Sequence, residues 1–110
     1  MSYRFRQTMT KAATSVAGGA TTPFDFSSTG KKGDLLRISL DVGSFIRFTI
    51  DGTNPDSTLT NIDSDDQMVY LDAGNHLFAL ATLTDDVRIY TKSAVTTLGV
   101  TLGILSPLDD

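Results

Sequence analysis

The sequence predicts an all-β fold, a single β-sandwich or jelly-roll-like domain with an extended N-terminal arm, and three observations carry that prediction. Short segments of alternating apolar and polar residues recur about every ten residues, the spacing of strands in sandwiches and barrels. Clusters of Asp, Gly, Asn and Pro separate them, which are the residues that turns require. All thirteen acidic residues are Asp and none is Glu, so the acids favour turns and caps over helix interiors. A chain of 110 residues fits one domain that buries about 65% of its unfolded surface. With no Cys, its stability must come from packing alone.

Residues 1–22 read as the arm and residues 23–110 as the sandwich domain. In the arm, Tyr3, Arg4, Phe5 and Arg6 alternate, which puts both aromatics on one face of a short strand. Residues 11–22 are small and polar, with Gly18 and Gly19 adjacent, as in a linker. The body starts with a strand over 34–41, where Leu36, Ile38 and Leu40 alternate with Arg37, Ser39 and Asp41. After the Asp41-Val42-Gly43 turn, Ile46, Phe48 and Ile50 share a second strand face, and the short turn predicts that the two strands form a hairpin. Residues 51–66 are polar and form one long connection, a length often kept for function. Strands follow over 67–71, 76–83 and 87–91. The closing strand sets Leu98, Val100, Leu102 and Ile104 against Thr97, Gly99, Thr101 and Gly103. That second face is bare enough to admit another backbone or subunit.

Charge divides the chain. Residues 1–24 carry Arg4, Arg6 and Lys11 and no acid, while the rest carries six basic and thirteen acidic side chains, for a total of −4. A basic arm suits an acidic neighbour, and an acidic body repels nucleic acid. The longest apolar run, residues 77–81, is far shorter than the roughly eighteen residues of a spanning helix. Residues 12–20 lack the apolar core of a secretory signal. The expectation is a chain that meets no membrane and stays in the compartment where it is made.

No catalytic residue and no cofactor or metal site is predicted. His76 is the sole His, begins an apolar strand, and has no nucleophile elbow to serve. Asp65-Asp66, Asp85-Asp86 and Asp109-Asp110 lie in polar turns or at the terminus, where carboxylates stay ionised. Asn61, Asp63 and Asp65 have the spacing that opens a calcium loop, with Asp72 at its twelfth position, but Asp66 stands where that loop needs Gly. Gly30-Lys31-Lys32-Gly33 lacks the first Gly and the hydroxyl of a phosphate loop and reads as a turn.

The segment Phe45-Ile46-Arg47-Phe48-Thr49-Ile50-Asp51-Gly52-Thr53-Asn54-Pro55 resembles the strand-and-turn element of small β-sandwich structural proteins of tailed bacteriophages. Leu71-Asp72-Ala73-Gly74-Asn75 resembles the turn that follows, Val87-Arg88-Ile89-Tyr90 the next strand, and residues 95–104 the closing one. The resemblance implies a non-enzymatic virion part of the head decoration or cement type, assembled in the host cytoplasm. It also implies binding to the major capsid protein and to other copies of itself, as a homotrimer. In that role Tyr3, Arg4, Phe5 and Arg6 are the expected partner-binding residues, adding a strand to a neighbour's sheet edge. A fibre or baseplate module that binds a receptor or glycan, and a head-completion or tail subunit, are the rival classes.

Overall fold

Eight strands make up most of the described backbone in the computed structural model, which describes residues 3–55 and 68–107, with the backbone alone for Tyr3, Met68 and Pro107. They are β1 (Tyr3–Val16), β2 (Ala20–Asp25), β3 (Gly33–Leu40), β4 (Ser44–Thr49), β5 (Met68–Leu71), β6 (Gly74–Thr84), β7 (Asp86–Thr91) and β8 (Val95–Pro107). A single 3₁₀ turn, Ser27–Thr29, links β2 to β3.

The strands form two antiparallel sheets of four, ordered β1-β8-β3-β6 and β2-β7-β4-β5. Strand one pairs with eight, two with seven, three with six and four with five. The chain is therefore one long double ribbon whose tip is the β4–β5 hairpin, rolled so that alternate ribbon segments fall in opposite sheets. That is the wrapping of a jelly roll, and it realises the all-β sandwich predicted from the turn spacing.

Between the sheets lies a core in which Phe26, Leu36, Ile38, Ile46, Ile89, Leu98 and Leu102 are fully buried. Removing each such side chain from water stabilises the fold by about 1.5–3 kcal/mol. Alternation does the selecting. In β3, Leu36, Ile38 and Leu40 point inward; in β8, Leu98, Val100 and Leu102 do, and the register sets Leu36 against Leu102 and Ile38 against Val100. Ile104 is only half buried, near the end of β8.

Two expectations are corrected. Tyr3–Val16, expected as arm and linker, is a fourteen-residue strand paired with β8 along its length, and Val16 belongs to the core. Gly18 and Gly19 do not begin a linker; they make the turn into β2, where Gly19 takes φ 73°, a left-handed conformation that Gly adopts without strain. Lys11 points toward the core edge, where its Nζ donates to the Asp25 carbonyl at 2.5 Å and lies 5.3 Å from the Phe26 ring centre. Strand β3 and strand β4 are not a hairpin. They lie in different sheets, β3 between β8 and β6, and β4 between β7 and β5. Both strands face the core, so their alternation is the same whether they pair side by side or stack face to face. The Asp41-Val42-Gly43 connection crosses the end of the sandwich, held by the Thr97 N–H donating to Asp41 Oδ1 at 2.9 Å.

Candidate docking surface

The residues expected to bind a partner lie at the start of β1. Tyr3 pairs with Pro107, Arg4 with Ser106, Phe5 with Leu105 and Arg6 with Ile104. Arg4 and Arg6 are exposed, while Phe5 is half buried. The Phe5 ring lies flush against Gly103, so close that a Cβ there would stand 2.5 Å from its Cζ. The Arg37 guanidinium sits 5.4 Å from the ring centre, within cation–π range. Phe5 is thus already placed on its own sheet. The bare face of the closing strand is explained by the same contact: Gly103 admits Phe5 of the same chain, and Thr101 Oγ1 meets Thr10 Oγ1 at 2.9 Å.

Beyond Phe5, the outer face of this sheet carries exposed apolar side chains among polar ones. Leu105 is 59% exposed and Leu77 58% exposed; Ala79 is exposed beside Leu35. The register puts Leu35, Arg37 and Ser39 of β3 on the same face as Ala79, Leu77 and Asn75 of β6. The sequence carried a signal for this surface that alternation alone overlooks. Residues 77–81 are continuously apolar, so β6 cannot present a polar face to water. The inner positions of that run, Phe78 and Leu80, pack against the core and leave Leu77 and Ala79 outside.

At one end of the face lies a shallow groove of about 230 Å³ lined by Ser39, Asp41, Asn75 and Thr97 among others. Its polar atoms are engaged with one another. Ser39 Oγ donates to Asn75 Oδ1 at 2.5 Å, and the Thr97 N–H holds Asp41 below the ordinary carboxylate range. The chain matches no family model, no curated protein and no solved structure.

The remaining candidates are placed as follows. His76 is half buried, and its Nε2 lies 2.7 Å from the Asp72 carbonyl, an arrangement that fixes a turn. Asp85 lies 3.9 Å from Lys32 and Asp86 3.8 Å from Arg88. Gly30 closes the 3₁₀ turn with φ 69°, so the Gly30-Lys31-Lys32-Gly33 stretch is the connection expected of it. Asn61, Asp63 and Asp65 lie outside the described residues. Among the described residues no three His, Cys, Asp or Glu side chains gather as metal ligands would.

The second sheet turns a different face outward. Phe45 and Tyr70 meet edge to face at 5.1 Å, Lys92 lies 5.7 Å from the Phe45 ring centre, and the paired residues Arg47 and Tyr90 are buried. Here aromatic and cationic groups are packed on each other. The outer face of the first sheet, with Leu77 and Leu105 exposed, is the candidate docking surface, because covering those side chains removes apolar surface from water.

Proposed function

We propose that this chain is a structural protein of a phage particle, a head decoration protein that binds the outer capsid lattice and reinforces it. The observation that carries the reading is the outer face of the β1-β8-β3-β6 sheet, where Leu77 and Leu105 stand exposed on the face that also holds Arg37 and the half-buried Phe5. Covering Leu77 and Leu105 against a large partner would remove apolar surface from water, which suits adhesion. The segment from Phe45 to Pro55 supports the choice of partner through its resemblance to phage structural proteins. Phe5 then acts as an anchor presented on the sheet. Arg4 and Arg6, exposed on the side of β1 opposite Phe5, lie at the sheet edge, where they complement acidic groups of a partner that reaches around it.

The test is to add the purified chain to capsid shells that lack it and count the copies retained. Decoration requires copies in proportion to the lattice, together with shells that resist heat or chaotrope better than bare ones. Leu105→Asp should abolish retention while the variant keeps its fold, since Leu105 is exposed. Retention at only a few copies per particle, or a variant that binds like the parent, would overturn the reading.

A further inference from the structure

Each sheet ends in two edge strands, and an unpaired edge is a template for another strand unless something blocks it. Three of the four edges here are blocked. Strand β1 carries Arg4, Arg6 and the inward-pointing Lys11, and its register shifts between Gln7 and Met9. Strand β2 holds Pro23 in its middle, which supplies no N–H. Strand β5 is four residues long within the described residues.

Strand β6 has none of these devices along its regular stretch. From Gly74 to Thr84 it contains no charged residue and no Pro, and among the described residues it pairs with β3 alone. From Gly74 to Ala79 its pairing with β3 is continuous. Only beyond Ala79 does the register shift, where residues 80–83 stand against Asp34. The outer side chain at the middle of the regular stretch is Leu77, 58% exposed.

We infer that β6 is a self-association edge, and that two copies of this chain join through it, antiparallel, about a two-fold axis. The occupant follows from charge. Antiparallel pairing of β6 with a second β6 sets no charged side chain against another, so the net charge of −4 on each copy stays clear of the contact, as it does not where β1 with Arg4, Arg6 and Lys11 meets its equivalent. Antiparallel pairing of a strand with itself is isologous, so it closes at two copies. With Leu77 on the axis, each Leu77 faces the other and each Asn75 faces Ala79 of the other copy, while Asp72 and Asp85 flank the contact without opposing each other. Main-chain hydrogen bonds then run through an eight-stranded sheet, and the two outer faces become continuous. The remaining edges, being blocked, give the pair no route to fibres. Copies meet in pairs on this reading, instead of in the threes that the phage resemblance implies, and the inference stands whatever partner the outer face binds.

The experiment needs no capsid. Light scattering of the full chain over a wide concentration range is expected to show a monomer–dimer equilibrium that stops at two. Ala79→Lys places an ammonium at the edge and should leave only monomer; Ala12→Lys on β1 should leave the dimer intact. Circular dichroism and melting establish that both variants are folded. Because the chain has no native Cys, Leu77→Cys gives a single thiol, which on mild oxidation should form a covalent dimer, whereas Ala12→Cys should not. A wild-type chain that is monomeric throughout or trimeric, a dimer that survives Ala79→Lys, or equal cross-linking at Leu77→Cys and Ala12→Cys would overturn the inference. Loss of capsid retention with the dimer intact would sink the decoration reading alone.

Discussion

Gly33 of β3 packs against the main chain of Gly103 in β8, and adding one methyl group at each position tests how closely the two strands are packed. A Cβ on Gly33 would lie 2.5 Å from the Gly103 carbonyl oxygen and 2.7 Å from its N. Both are main-chain atoms of a strand held on either side by β1 and β3, so neither can move without separating a ladder. A Cβ on Gly103 would meet the Phe5 ring at 2.5 and 2.7 Å and the Arg6 carbonyl oxygen at 2.8 Å. The ring is a half-buried side chain on an outer face, and the Arg6 carbonyl belongs to edge strand β1, which among the described residues is paired on one side only. Both therefore yield more readily than the main chain of β8. Overpacking in a closely packed region costs about 1–3 kcal/mol, and Gly33→Ala belongs at the upper end of that range and Gly103→Ala at the lower. For a domain near this size, 1 kcal/mol moves the midpoint by about 4–8 °C. Gly33→Ala should therefore melt roughly 10–20 °C below the parent. Phe5→Ala combined with Gly103→Ala should recover part of the Gly103→Ala loss, a coupling that a double-mutant cycle in urea resolves. If Gly33→Ala melts with the parent, or costs less than Gly103→Ala, the close approach of β3 to β8 is not as described.

Three further predictions follow from particular residues. Val100→Asp places an unpaired carboxylate among Ile38, Leu98 and Leu102, and should cost several kcal/mol and unfold the chain, read as loss of a cooperative melting transition. Deleting residues 1–22 removes β1 and half of β2 and uncovers one side of β8; the product should be insoluble or unfolded, and a monomeric, cooperatively melting fragment would refute that. Ser27 holds the Asp25 carboxyl below its ordinary value of 3.8, the Thr97 N–H does the same for Asp41, and the Thr53 hydroxyl and N–H for Asp51. Lowered values in the folded chain mean that this stabilisation is complete above the unfolded value and is lost as pH falls through it and below. Melting temperature should thus fall from about pH 4 downward, and less steeply in Asp41→Asn.

The candidate docking surface was legible only in part. The aromatic and basic character of Tyr3 to Arg6 stood out in the sequence, but an isolated alternating segment reads the same whether it is a free arm or an edge strand. The fourteen-residue ladder with β8 is a long-range pairing that spans most of the chain, and no local pattern encodes it. Likewise, Gly99 and Gly103 announced a bare strand face, yet only the placement of β1 beside β8 shows that Phe5 covers Gly103. The exposed face around Leu77 was written in the unbroken apolar run of residues 77–81, because a strand that is apolar at successive positions has no polar side to offer.

By itself the sequence determined the fold class, the position of most strands and the inward face of those with strict alternation, residues 36–40 and 98–102 above all. Those follow from a period of two residues and from the backbone needs of Asp, Gly and Pro at turns, which act over a few residues. Tertiary structure alone decided which strands are neighbours. Leu36, Ile38 and Leu40 would be buried equally well beside β4 or across from it, and the choice rests on how two twisted sheets close over one core. It also decided which strands lie at the edges of the sheets, because an edge is a property of the whole sheet and of no strand within it.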